Sequence, residues 1–382
     1  MTPTESLALQ RPRAAAKPGR APLIDAVKVL ATQLIVWHHL ALYGPMSDVV
    51  YPYASGLIDW LYNEARLVVQ VFLVIGGYLA AQSLWPRLAA DRAVGSQAST
   101  LGLIWRRYLR LVKPYAAALL LAMASAALAR ALMDHDATPS APTSGQVAAH
   151  LLLAHDILGF EGLSAGVWYV AIDFQLFALL ALLTAATQAI ARRTGVGVEH
   201  ALLWACSALV VASLCWFNRE AGLDVWAPYF FGAYGLGVLA QAVAQRQRRS
   251  AGTLALAALL GLALAVDWRS RVLVAGITAL VLASGAARAT RWPAWMSGPV
   301  IGGLARISYA QFLVHYPVCL AVNALVAWAW PAQAGFNMLG LVMAWGFSLA
   351  AAALFYRWVE APRPLRPRPA PSPSRPGQPV VS

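Results

Sequence analysis

Residues 23–43 read LIDAVKVLATQLIVWHHLALY. At about 1.5 Å of rise per helical residue the stretch is long enough to cross a bilayer, yet it carries Asp25, Lys28, His38 and His39. A charged group at the centre of a span costs roughly 2.5–3.5 kcal/mol on insertion scales, so such residues are expected to face a protein interior or a wet cavity. Eleven steps at about 100° each make about three turns, which puts Lys28 and His39 on one face about 16 Å apart. Asp25 falls near that face and His38 is turned about 100° from it. One stripe of an otherwise apolar helix therefore carries an acid, a cation and an imidazole.

The rest of the chain shares this apolar character. Hydrophobic residues make up 60% of the 382 and charged residues only 12%, against about a quarter charged in ordinary soluble domains. This composition predicts an all-α, polytopic membrane helix bundle. The formal net charge of +13 is read as charge placed relative to a bilayer and not as a nucleic-acid surface. Cys206, Cys215 and Cys319 lie in apolar stretches without metal-ligand spacing, which predicts free thiols and no metal site. The Arg- and Pro-rich residues 1–22 have no apolar core, and the span after them is too long and polar for a signal peptide, so a retained first helix is expected.

Apolar runs predict ten spans, at 23–43, 65–84, 114–133, 168–190, 201–217, 229–244, 251–266, 272–287, 304–330 and 338–356. Counted over alternate connections, 24 of the 29 Lys and Arg fall on the side of the N-terminal tail. That asymmetry predicts both termini in the cytoplasm. The transmembrane domain is expected over 23–360, between a disordered basic tail at 1–22 and a disordered Pro- and Arg-rich tail at 361–382. The longest outer connection, about 134–167, contains AAHLLLAHDILGF, which is too short to span and is expected to lie at the interface or fold back into the bundle.

Several further stretches carry candidate chemistry. IWRRYLRLVKPY holds Arg106, Arg107, Arg110 and Lys113 before Pro114. Beyond anchoring the inner side, such a cluster suits a polyphosphorylated ligand, because guanidinium groups grip phosphate oxygens in pairs. VFLVIGGYL places Gly76 and Gly77 mid-membrane, a pattern of close helix packing. In GVWYVAIDFQLFALL an aromatic belt accounts for Trp168 and Tyr169 but not for Asp173. Asp173 is expected to pair with His39 and orient it as a general base. ARISYAQFLVHYPVCL puts His315 mid-helix two residues before Pro317, and FYRWVEAPRPLR sets Arg357 and Glu360 at the inner end of the last span.

Taken together these stretches resemble the acyltransferase-3 family over nearly the whole chain. Asp25, Lys28 and His39 occupy the positions of its opening Asp-x-x-Arg motif and of the histidine eleven residues later, with lysine where arginine is usual. The family's Ser-Gly-Phe/Tyr signature matches Gly76, Gly77 and Tyr78, with glycine where serine is usual. The Arg-Arg-x-x-Arg run matches Arg106, Arg107 and Arg110, and a Trp-Ser-Leu-x-x-Glu motif is echoed by Trp168 through Asp173. Ser308, Tyr309, His315 and Pro317 match a Ser-Tyr…His-x-Pro pattern, and Val359 through Pro362 match Ile-Glu-x-Pro.

The resemblance implies transfer of an acyl group, usually acetyl from acetyl-CoA, to a hydroxyl of a carbohydrate, glycolipid or other cell-envelope acceptor, with no tightly bound cofactor. On that reading His39 and Asp173 are catalytic, and Lys28, Arg106, Arg107 and Arg110 hold the donor. Asp25, Tyr78, Trp168, His315 and Glu360 support them. The implied partners are membrane lipid, acyl-CoA and the acceptor, and the Ala-, Arg- and Gly-rich composition suggests the inner membrane of a high-GC bacterium. The rival reading is a transporter or flippase for an envelope lipid or sugar, since intramembrane Asp, Lys and His also serve proton-coupled transport.

Overall fold

The computed structural model describes residues 21–90, 99–246, 249–285 and 292–361. Both expected tails lie outside these residues, apart from Ala21, Pro22 and Ala361. The described chain is helical throughout and contains no strand. Helix α1 (Pro22–Leu42) is followed by α2 (Pro45–Asn63), a single 3-10 turn and α3 (Val69–Ala90). Next come α4 (Thr100–Leu132), the short α5 (Ser144–Leu151), α6 (Val167–Thr194) and α7 (Val198–Cys215). The remainder comprises α8 (Ala227–Gln245), α9 (Ser250–Val266), α10 (Ser270–Ala283), α11 (Ala294–Ser297), α12 (Pro299–Ala329) and α13 (Ala334–Phe355).

Each expected span coincides with a helix, but length and apolarity alone do not support all ten as crossings. Among the described residues seven helical stretches are long and apolar enough to cross a membrane. One of these is the run Pro45–Trp85, which takes in both α2 and α3. Helices α9 and α10, at 17 and 14 residues, are apolar but short. Helix α1, with its two charges and two histidines, is not among the seven.

Sequence periodicity gave no reading of α2, because Pro52 interrupts its apolar pattern and the backbone breaks at Ala54 (φ −144°, ψ 32°). Its inner face buries Met46, Val50, Ile58 and Leu61, while Tyr51, Tyr53, Trp60 and Tyr62 are exposed. Exposed Trp and Tyr on such a helix suit the membrane interface. The turn into α2 is held by Asn323 of α12, whose amide donates to Tyr43 O (3.1 Å) and accepts from Met46 N (3.2 Å).

Helices α8 and α12 form the two cores. Nearly every residue of α8 is buried, and it packs against α3, α7 and α10. Helix α12 packs against α13, α4 and α1. The α3–α8 contact depends on small residues, as expected where backbones meet in a membrane. A Cβ added at Gly77 would collide with the carbonyl oxygen of Tyr234, and one at Gly237 with that of Val74. Gly77→Ala and Gly237→Ala should therefore each lower stability by about 1–3 kcal/mol, the usual cost of overpacking. Thermal unfolding in detergent checks this, and an unchanged midpoint would show that the two backbones are not in contact.

The three cysteines are free, as expected.

Candidate active site

Helix α1 is fixed by a polar lattice halfway between its cation and its histidines. Gln33 Nε2 donates to Gln311 Oε1 of α12 (3.0 Å), and Trp345 Nε1 of α13 donates to Gln33 Oε1 (2.9 Å). Gln311 also reaches Ser348 Oγ (3.3 Å). Amides buried among helices need such partners, and this set locks the rotation of α1 that its stripe of polar residues requires.

Toward the far end of that stripe, His39 meets His315. The rings stack nearly parallel, with centroids 4.9 Å apart and 8° between planes, and His39 Nδ1 lies 2.7 Å from His315 Nε2. The proton positions follow from the carbonyls behind them. His315 Nδ1 sits 2.8 Å from Phe312 O and 3.1 Å from Gln311 O, both of which only accept, so this nitrogen carries the hydrogen. In a neutral ring His315 Nε2 is then an acceptor and His39 Nδ1 donates to it. His39 Nε2 is left with a lone pair, the state that a general base requires.

His39 lines a cavity of about 400 Å³. Other walls come from His38, Tyr43 and Arg66 near the α1–α2–α3 turns, from Trp168, Tyr169 and Phe312, and from residues 156–167. Helical phase separated His38 from the polar stripe, yet it lines the same cavity, with Nδ1 donating to Leu61 O (2.9 Å). The connection after α4 does fold back. A Thr143–Gln146 capping box starts α5, and the chain then turns so that Asp156 and Ser164 reach the cavity. Gly166, at φ +77°, ends this turn against the ring of Phe312 and starts α6.

The expected pairing of His39 with Asp173 is not what the structure shows. Asp173 Oδ2 instead accepts from Arg107 Nη2 at 2.5 Å. Arg107 had been grouped with the donor cluster, but it turns inward from α4 and also lies over the Phe177 ring, 5.3 Å from its centroid. A carboxylate inside a membrane bundle is drawn to a permanent cation over a neutral imidazole, and α4 delivers one at that depth. Arg107 Nε and the Tyr309 hydroxyl are buried without a hydrogen-bond partner among the described residues. The carboxylate also interacts electrostatically with Tyr169, Tyr234 and Tyr309. A Cβ at Gly76 would lie 3.7 Å from Asp173 Oδ1 and 3.4 Å from the Tyr234 ring, so a serine side chain there would sit beside the ion pair.

At the near end of the stripe, Lys28 interacts electrostatically with Asp25, Glu360 and Arg110. Arg106 and Arg110 are exposed on α4. Tyr78 is buried in the α3–α8 core and Trp168 forms part of the cavity wall. The site residues thus fall into three groups: a charged cluster around Lys28, the Arg107–Asp173 pair with its tyrosines, and the histidine-lined cavity.

If His315 orients His39, His315→Ala should lower turnover by about tenfold, less than the 10²–10⁴-fold that general-base help itself contributes. The KM for donor should stay unchanged. Steady-state kinetics of the variant check this, and a raised donor KM with intact turnover would contradict it.

An acyltransferase domain family model matches residues 22–357. No curated protein and no solved structure matches the chain. The matched region takes in α1 through α13, with the histidine-lined cavity and the Lys28 cluster apart from Glu360. The chain is a multi-pass membrane protein of the acyltransferase-3 family.

Proposed function

We propose that this protein transfers an acetyl group from acetyl-CoA to a hydroxyl of a carbohydrate or glycolipid of the cell envelope, with His39 as general base. The observation that carries this reading is the His315-fixed tautomer of His39, which leaves Nε2 unprotonated on a ring that lines a cavity of substrate size. Acetyl-CoA is the donor substrate and no resident cofactor is required.

In the reaction His39 Nε2 takes the proton of the acceptor hydroxyl as its oxygen attacks the thioester carbonyl. A C–O bond forms, the C–S bond breaks, and CoA leaves as a thiolate that takes up the proton from His39. Donor phosphates suit the cations Lys28, Arg106 and Arg110, because charged donors grip phosphate strongly. With the cationic side in the cytoplasm, the donor approaches from within and the acceptor from the opposite face. Both termini then lie inside a bacterial inner membrane, and α1 forms one wall of a path about 16 Å long between the two sites.

Labelled acetyl-CoA, offered with envelope extracts to the purified chain in lipid nanodiscs, tests this reading. Label should appear on a glycan or glycolipid. A carrier, whose intramembrane charges would serve proton coupling, would bind or move the acceptor without labelling it.

A further inference from the structure

Asp156 is a carboxylate in the same cavity as His39 that the reaction above leaves unused. Its side chain is 25% exposed, and among the described residues no hydrogen bond reaches its oxygens. His155 Nε2 lies 3.4 Å from its Oδ2, and His150, Asp224 and Tyr115 interact with it electrostatically. His155 is fully buried, both its ring nitrogens lack hydrogen-bond partners among the described residues, and its ring stacks on His150 with centroids 4.0 Å apart. His150 is satisfied by its own turn, donating to Gln146 O (2.8 Å) and accepting from Leu163 N (3.0 Å). Burial pushes both histidines down to about 4 and raises the Asp156 carboxyl.

Holding these groups there strains the backbone. Leu153, two residues before His155, is buried at φ +55°, a conformation unusual for a side chain branched and bulky enough to need room. Strained backbone persists where the surroundings hold it, often at functional sites. Arg66 lines the same cavity without forming an ion pair with Asp156, so the carboxylate's lone pairs remain available to a guest. Trp168, whose ring lies beside those of Tyr169 and Phe230, lines the same cavity. A carboxylate acceptor and an aromatic ring in one cavity suit a neutral ring with several hydroxyl donors, and the carboxylate disfavours a carboxylated or phosphorylated group.

We infer that Asp156 is an acceptor-positioning residue, whose carboxylate accepts hydrogen bonds from hydroxyls of a neutral pyranoside while Trp168 lies against its ring and His39 addresses the hydroxyl to be acylated. This rests on the acyltransferase reading above. A merely structural carboxylate would show itself in stability or in turnover and not selectively in acceptor binding.

The test offers acetyl-CoA and the methyl pyranosides of glucose, galactose, mannose and rhamnose to the full chain in nanodiscs. For each pyranoside that the wild type acetylates, Asp156→Asn should raise the acceptor KM by about tenfold, the order expected when a charge-assisted hydrogen bond is weakened. The donor KM and kcat should be unchanged, and Asp156→Glu should recover part of the acceptor KM. An unchanged acceptor KM in both variants, or a loss confined to kcat, overturns the assignment. Turnover of acetyl-CoA by the wild type with none of the four pyranosides acetylated also overturns it and leaves the acyltransferase reading standing. No acetyl-CoA turnover at all, with these acceptors or with envelope extracts, overturns that reading as well.

Discussion

Replacing His39 by alanine should lower acetyl transfer by about 10²–10⁴-fold, the range that a positioned general base contributes. The loss should fall on turnover, because the imidazole acts on the proton in flight and not on the phosphates of the donor. The ring is packed against His315 on one side and open to the cavity on the other, so its removal enlarges a space that already exists. The variant should accordingly remain folded and in the membrane. Gel filtration and donor binding check the fold, and labelled transfer checks the chemistry. Full activity in a folded His39→Ala protein would exclude His39 as the base.

The second large effect is expected at the ion pair. Arg107 and Asp173 are each mostly buried, with side chains 26% and 11% exposed. Removing one partner of such a pair leaves an uncompensated charge and typically costs about 3–5 kcal/mol. Asp173→Ala should therefore destabilise the protein strongly, and so should Arg107→Ala. The double variant should lose less than the sum of the two single losses, since removing both partners leaves no uncompensated charge. Thermal unfolding of all three proteins in one detergent provides the cycle. Losses that simply add would show that the two side chains act independently.

The sequence was most informative where a polar residue interrupted an apolar run. Lys28, His39, Asp173 and His315 all stood out in this way, and the structure places each of them inside the bundle or on its cavity. What could not be read was which of them meet. Helical phase relates residues on one helix, whereas the partners of His39 and Asp173 lie 276 and 66 residues away. Comparable depth alone pairs Asp173 with His39. The structure gives it Arg107, because one arginine of the basic run turns inward while Arg106 and Arg110 stay exposed.

His38 was set aside because phase alone places it off the stripe. A cavity that wraps around the end of α1 receives two adjacent side chains regardless of phase. Helix α2 escaped notice for a different reason. Its apolar residues alternate with Tyr, Asp and Pro, a pattern that suits an interface helix but resembles neither a span nor a regular amphipathic repeat. Asp156 likewise lay in a connection read only for its hydrophobicity. Nothing in the local pattern of AHDILGF signals that its aspartate returns to the cavity that the first helix lines.

The most direct test of the account separates the donor and acceptor sides of one oriented protein. Proteoliposomes carrying the full chain with a known orientation would be loaded with labelled acetyl-CoA on the face of Lys28 and Arg110, with envelope glycan supplied only on the face of the histidine-lined cavity. The account predicts labelled glycan with wild-type protein and none with His39→Ala. Equal labelling by the two proteins, or glycan carried across the bilayer without gaining label, would contradict it.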